Sequence, residues 1–390
     1  MTIAHSYCVA LNRRLAHEMA LAGGGQWEVT AVAPSFFHGD LRPIPLEPSP
    51  GEACHVEALP VRLSKFIHVM HYGIYLRDIL QRDWDIVHCW EEPYIVVGGQ
   101  VAWWTPQYTP LVFATFQNIT KSYPIPFNWI ERYCLKRASG WIAFGHTSED
   151  TLGQQSHYSA RTCRLIPLGV DTSHFRPDPE SGRRVRQHLG WTGDRPLVIG
   201  YIGRFVPEKG LRLLIKVLDR LRVPWRALFI GGGPMTEQLQ EWAARHGDRV
   251  KIVTGVSHDQ VPAYLNAMDV LCAPSQTTRR WHEQFGRMLV EAFACGVPVI
   301  ASDSGEIPYV VREAGVIVGE KDEDVWLQAL TQLLEDAPLR AELAAMGVER
   351  AHRLYAWPVV ARQHLIFFEE LLAARQPCND HAQALAAQEN

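Results

Sequence analysis

Short apolar runs rich in β-branched and aromatic residues alternate, almost throughout this chain, with segments of helical spacing. In the first half, WEVTAVAP, DIVHCW, LVFATFQ, GWIAFG and CRLIPLG read as strands. LNRRLAHEMALA, KFIHVMHYGIYLRDILQ, PFNWIERYCLKRAS and SEDTLGQQSHY read as helices. Parallel strands need a crossover of a dozen or so residues, usually a helix. The alternation therefore predicts an α/β fold built on parallel sheets. The series then starts again: PLVIGYIGR, ALFIGGGP, VKIVTG and DVLCAPS are strands, with KGLRLLIKVLDRL and MTEQLQEWAARHG as helices between them. A helix is expected from Ser257, with Gln260 placed to complete a capping box. WLQALTQLLED, LRAELAAMGVERAHRLY and, after Trp357–Pro358, VVARQHLIFFEELLAARQ complete the helical set.

Two such series in 390 residues predict two domains. PLGVDTSHFRPDPESG has the Pro, Gly and Asp content of a linker. The expected division is 1–170 and 171–355, each a Rossmann-like doubly wound domain, then a closing helix over 356–376 and a flexible tail over 377–390. Doubly wound sheets bind ligands beyond the carboxyl ends of their strands. Two facing domains would place those loops along a shared cleft.

A net charge of −4 with no basic tail gives no reason to expect nucleic acid as a partner. The eight cysteines are scattered, with no CxxC pair, as expected for reduced thiols. MTIAHSYCVALNRR does not read as a signal peptide, and no apolar run approaches the ~18 residues of a membrane span. A cytoplasmic location is expected, with contact at the inner face of a membrane left open. Trp103–Trp104 and the stretch from Lys65 to Arg77 read first as a packed pair and a core helix, and second as a surface meeting lipid.

Three segments can carry chemistry. In GYIGRFVPEKGLRLLI, Gly203, Arg204 and Lys209 lie in a strand-to-helix loop, where free N–H groups and the helix dipole favour phosphate. The plainer alternative is a surface turn with Lys209 paired to Glu208. IGGGP, with Gly232 at its centre, is a second strand end built for close backbone approach, and there is no Walker A or GxGxxG fingerprint. Most informative is WHEQFGRMLVEAFACGVPVIASDSGEIP, where Phe285 to Cys295 reads as an apolar helix with Glu291 inside it and Glu283 just before. If both were helical, the carboxylates would stand about 12 Å apart. Glu291 has Arg287 four residues earlier, so one reading is an exposed salt bridge. The other is a buried carboxylate whose partners are sugar hydroxyls.

E-Q-F-G-R-M-L-V-E resembles the E-x7-E signature of the retaining glycosyltransferases of family four, which adopt the two-domain GT-B fold. GYIGRFVPEKG is similar to that family's phosphate loop, IPLGVDTSHF to its linker, and VVARQHLIFFEEL to its closing helix, which crosses back to the N-terminal domain. The resemblance covers nearly the whole chain. It implies that Arg204 and Lys209 hold the diphosphate, Glu291 the ribose and Glu283 the transferred sugar. The backbone of Phe285, Gly286 and Arg287 would lie near the phosphates. Gly203, Gly232, Val256 and Ser275 complete the implied donor site. On the acceptor side stand His88 and Glu91 of HCWEEPY, Gln117 and Asn118 after LVFATFQ, and Asn12 of HSYCVALNRR. The chain departs from the family at Gln284, where Pro is usual, at Arg287, where an aliphatic residue is usual, and at Gln117, where His is usual. HSYCVALNRR also replaces a glycine-rich loop.

The reading is a retaining, metal-independent transferase with no cofactor, moving a sugar from a UDP- or GDP-linked donor to a glycan or lipid-linked hydroxyl in surface polysaccharide or glycoconjugate synthesis. The resemblance further implies that the departing phosphate takes the acceptor proton. The rivals are a catalytically silent nucleotide-sugar-binding subunit, a GT-B epimerase and a phosphorylase. Asp83–Trp84–Asp85 precedes its strand and reads as a loop. His68 and His71, on the expected helix, lack a third ligand for a metal.

Overall fold

The computed structural model describes residues 1–38, 43–48, 50–192 and 196–374. The expected tail 377–390 lies outside them. The chain forms two compact units. Met1–Phe144, Ser148–Ile166 and the chain from Pro358 form one; Gly145–Thr147 and Pro167–Trp357 form the other.

The first unit is built on strands β1 (Thr2–Ile3), β2 (Thr30–Pro34), β5 (His55–Leu59), β6 (Val87–Cys89), β7 (Leu111–Thr115), β8 (Gly140–Ala143) and β9 (Thr162–Leu165), with a small hairpin of β3 (Phe36–His38) and β4 (Pro43–Pro45) beside them. The seven-stranded sheet runs β5-β2-β1-β6-β7-β8-β9, all parallel. One of its inner strands, β1, is two residues long, too short for any periodicity to reveal it. Its neighbours specify it, because Thr2 and Ile3 register against Ala31 and Val32 on one side and His88 and Cys89 on the other. The closing helix Trp357–Ala373 packs on this unit, as expected, with Val360, Ala361, Leu365, Phe367, Phe368 and Leu371 buried. Phe368 meets Trp27 and His88.

The second unit carries β10 (Leu197–Arg204), β11 (Trp225–Gly232), β12 (Val250–Val253), β13 (Val270–Ala273), β14 (Val299–Ser302) and β15 (Gly315–Val318). They form a parallel six-stranded sheet in the order β12-β11-β10-β13-β14-β15. Trp225, Phe229, Trp242 and Trp326 fill the core on one face. The expected capping box forms, with Ser257 and Gln260 bonding each other's backbone at a 3₁₀ turn.

Several elements differ from expectation. The predicted helix from Lys65 shrinks to Tyr75–Leu80. Before it, Arg62 and His71 pair as an antiparallel bridge through two backbone bonds, and Gly73 turns the chain at φ 64°. His68 and His71 therefore share no helix. SEDTLGQQSHY breaks into His146–Gly153 and Ser156–Ser159. The end of the supposed linker is a helix, Pro179–His188, started by Asp178, whose carboxylate accepts the Ser181 N–H at 3.0 Å, with Pro179 opening the first turn. Trp103 and Trp104 close a helix, Val96–Trp104, that its two central glycines concealed. Trp103 is 71% exposed, so the packed-pair reading fails for it.

Candidate active site

In the second sheet the chain winds outward from β10 to β11 and β12, then returns to the other side of β10 at β13. The loops leaving β10 and β13 diverge at that switch point, the place where doubly wound sheets bind their ligands. Glycines let the strand ends crowd there. A Cβ at Gly231 would stand 1.9 Å from the Gly203 carbonyl oxygen, and one at Gly210 would stand 1.7 Å from the Pro274 oxygen. Gly210, at φ 71°, also opens the helix Leu211–Arg220. That close approach sets Lys209 beside the loop that follows β13.

Lys209 Nζ lies 2.5 Å from Glu283 Oε2, and the Ser275 hydroxyl donates to the same oxygen at 2.8 Å. The Lys209 ammonium also stands 4.9 Å over the Trp281 ring. Lys209 thus pairs with Glu283, not with Glu208. Glu283 is 5% exposed and does not ride on a helix, contrary to the 12 Å estimate. Gly286, left-handed at φ 80°, caps the helix Arg287–Ala294, and Glu283 sits in the loop before it. The Glu283 carbonyl is fixed by the Glu306 N–H at 2.9 Å.

Glu291 lies within the helix and is 6% exposed, so the exposed salt-bridge reading fails. Burial pushes its carboxyl up to about 7, against the pull of Arg287. Arg204, exposed, ends β10 opposite Gly232, where an added Cβ would meet no atom within 4 Å. The Phe285 side chain turns into the core against Tyr355, which leaves its backbone at the site. Arg287 is half-buried at the start of its helix. Val256 follows β12, two strands from β10 and farther along the edge from the Lys209–Glu283 pair.

The first sheet has its own switch point, between β1 and β6. Glu91, just beyond β6, is buried and lies 2.6 Å through Oε2 from Nδ1 of His5, which follows β1. Sequence reasoning missed His5. Its signal was position alone, two residues past a strand too short to see. Glu92 accepts from the Thr115 hydroxyl at 2.6 Å and the Phe116 N–H at 2.9 Å, and so holds the turn after β7. Gln117, 4% exposed, takes the Tyr123 hydroxyl at 2.7 Å. Asn118 is buried beside it, and Asn12 bonds the Ser6 carbonyl at 3.0 Å. His88 is placed elsewhere. It is 1% exposed inside β6, bonded to Thr2 and packed against His364 and Phe368 of the closing helix, and burial depresses its pKa strongly. It is a core residue because its side chain points to the sheet face that the helix covers. Among the described residues no cluster of three or more His, Cys, Asp or Glu could hold a metal, and no helix is long and apolar enough to cross a membrane.

Two parallel doubly wound units, each with ionisable side chains at its switch point, define the GT-B class of fold. Solved structures share it. Sucrose-phosphate synthase from Thermosynechococcus elongatus superposes with a TM-score of 0.72 at 22% identity, over 96% of this chain and 98% of that one. A glycosyltransferase from Rickettsia africae gives 0.76 at 15% identity, over 96% and 98%. Residues 12–174 match the family model described as glycosyltransferase family 4, and residues 184–350 match the one described as glycosyl transferases group 1. A GDP-mannose-dependent alpha-(1-6)-phosphatidylinositol monomannoside mannosyltransferase of Mycolicibacterium smegmatis is 41% identical over 48% of this chain. The match spans 50% of that relative's length. A D-inositol 3-phosphate glycosyltransferase of Corynebacterium glutamicum is 28% identical over 89% of this chain and 85% of its own.

Proposed function

We propose that this protein is a retaining glycosyltransferase that moves a sugar from a nucleoside diphosphate donor, GDP-mannose first among them, to a hydroxyl of a glycan or lipid-linked acceptor. The observation that carries the reading is the Lys209–Glu283–Ser275 cluster at the second sheet's switch point, with Arg204 on the same edge. The relatives' names direct the choice of donor and the class of acceptor. The second unit, which contains the expected 171–355, is then the donor domain, and the first unit with the closing helix is the acceptor domain.

A lysine ammonium has three donors. Lys209 can keep Glu283 while giving another hydrogen to the diphosphate, so the ion pair ties the phosphate position to the sugar position. Arg204 adds a bidentate fork suited to phosphate oxygens. Together they stabilise the charge that develops on the departing diphosphate, with no reorganisation at the moment of transfer. Glu283 accepts hydroxyls of the sugar and Glu291 those of the ribose. Neither a metal nor another cofactor enters this reading.

Calorimetric titration with GDP, UDP, ADP and dTDP, without added metal, tests it. GDP is expected to bind, and Arg204→Ala to weaken it at least 10-fold, the loss of about 1.4 kcal/mol for a charge-assisted bond. A folded protein that binds none of the four sinks the proposal.

The acceptor side of the reading includes an anionic membrane surface. Leu63, Phe66, Ile74, Tyr75, Trp103, Tyr108, Ile125 and Trp129 are exposed on the segments around the helices Tyr75–Leu80, Val96–Trp104 and Phe127–Arg137, which pack side by side in the first unit. Arg62, Lys65, Arg77, Lys121, Arg132 and Lys136 are exposed on the same segments, against the exposed acids Asp78 and, just past the first helix, Asp83 and Asp85. Apolar anchors ringed by cations suit lipid with negative headgroups. Co-sedimentation with phosphatidylglycerol vesicles is expected, and little with phosphatidylcholine alone. Trp103→Ser with Trp129→Ser should release most of the bound protein. Equal sedimentation of this variant would remove the membrane from the reading.

A further inference from the structure

A lysine that must meet a phosphate has a long side chain with much rotamer freedom to lose, and one ion pair ties its ammonium to a point without fixing its direction. Lys209 is held from a second side. The Glu283 carboxylate lies 2.5 Å from Nζ, and the centre of the Trp281 ring lies 4.9 Å from the same nitrogen. Trp281 and Glu283 stand two residues apart in a segment with no helix, and both side chains turn to the one cation. Between them they leave the Lys209 side chain 13% exposed.

The loop that brings Trp281 there is tied at several points. The Gln276 N–H donates to the carbonyl of Glu208, the residue before Lys209, at 2.8 Å. The Thr277 N–H donates to the Glu320 carboxylate at 2.5 Å, and the Thr277 and Ser304 hydroxyls bond at 3.0 Å. The Thr278 N–H donates to the Trp281 carbonyl at 2.9 Å and closes the turn, whose Arg279 and Arg280 are exposed. Trp281 is half-buried, and its ring is not one of those that fill the apolar core of this unit. A ring kept out of the core by a braced loop, and set against an ammonium, is placed for that ammonium.

The two partners of Lys209 differ in what they take from it. A carboxylate accepts an ammonium hydrogen and competes with phosphate for the others. A ring face attracts the charge as a whole through its quadrupole. It can therefore hold the ammonium in place and leave N–H groups to a diphosphate oxygen. We infer that Trp281 is a positioning residue of the donor site, whose π face keeps the Lys209 ammonium where the diphosphate binds. This inference rests on the transferase reading above, in which Lys209 meets the donor's phosphates, and it concerns the second unit alone.

GDP affinity of the full chain, read by calorimetry, tests it. Trp281→Phe keeps a weaker π face and should bind GDP within about 3-fold of wild type. Trp281→Leu keeps apolar bulk without the face and should lose about 5- to 10-fold. Fluorotryptophan placed at this one position, from mono- to di- to tetrafluoro, keeps the ring's shape and drains its quadrupole. Affinity should fall stepwise along that series, by a similar total. In Lys209→Met the same series should be flat, because the cation through which the ring acts is gone. A purely structural ring would not follow the number of fluorines. A flat series in protein that retains Lys209 overturns the assignment and leaves the transferase reading in place. An equal fall in Lys209→Met also overturns it, because the ring would then act on the nucleotide directly. Wild-type protein that binds no GDP overturns the transferase reading, and the positioning role with it.

Discussion

Glu283→Gln is expected to lower kcat for sugar transfer by about 10²- to 10³-fold while GDP binding stays near that of the wild type. The expectation follows from what the carboxylate touches. Oε2 holds both the Lys209 ammonium and the Ser275 hydroxyl, so one charged atom fixes the cation and one edge of the donor site. Glutamine keeps the shape and removes the charge. It cannot accept strongly from a sugar hydroxyl and draw Lys209 into place together. Lys209→Met is the contrast. It leaves Glu283 buried without its cation, which costs stability of roughly 3 kcal/mol and weakens GDP binding as well as transfer. Steady-state kinetics on both variants, with thermal melting and GDP titration, separate the cases. Full activity in Glu283→Gln would show that the cluster is a structural ion pair and nothing more.

How far the site was legible follows from the same residues. Arg204, Lys209 and Glu283 announced themselves because ionisable residues in glycine-bearing loops at strand ends have few structural uses, and the E-x7-E spacing joined them to a family. That Lys209 and Glu283 touch was not legible. Their contact is set by the sheet order, which puts β10 beside β13 across seventy residues of chain, and by the packing of Gly210 on Pro274. In the first unit the failure has one root. β1 is two residues long, so neither that inner strand nor the switch point beside it was visible, and His5 was passed over while His88 was placed at the edge. A histidine inside a strand faces the core or a neighbouring helix as readily as a ligand, and only the closing helix decides. The helices misread at their ends, from Lys65 and at Asp178, were decided by a bridge partner and a cap, neither of which hydrophobic spacing records.

Glu291 supplies a prediction whose sign changes with the ligand. Its carboxyl is raised from 4.5 to about 7, with burial the larger cause and Arg287 opposing it. A group bound more tightly to its proton in the folded state favours folding below its unfolded value, and that advantage is lost as pH rises through the folded one. At about 1.4 kcal/mol per unit, the nucleotide-free protein should lose on the order of 3 kcal/mol between mildly acidic and mildly alkaline conditions from this residue. Glu291→Gln, with no charge to bury, should therefore melt higher than wild type at alkaline pH, with the difference closing in acid. GDP reverses the balance. Ribose hydroxyls donating to the ionised carboxylate repay its desolvation, so wild-type affinity should tighten as pH rises through 7, and the variant should bind more weakly with a flat profile. Melting with and without GDP across that range measures both limbs. If the variant melts below wild type by the same margin at every pH, and the affinity of wild type does not move with pH, then the carboxylate is satisfied by protein alone and Glu291 is not the ribose contact.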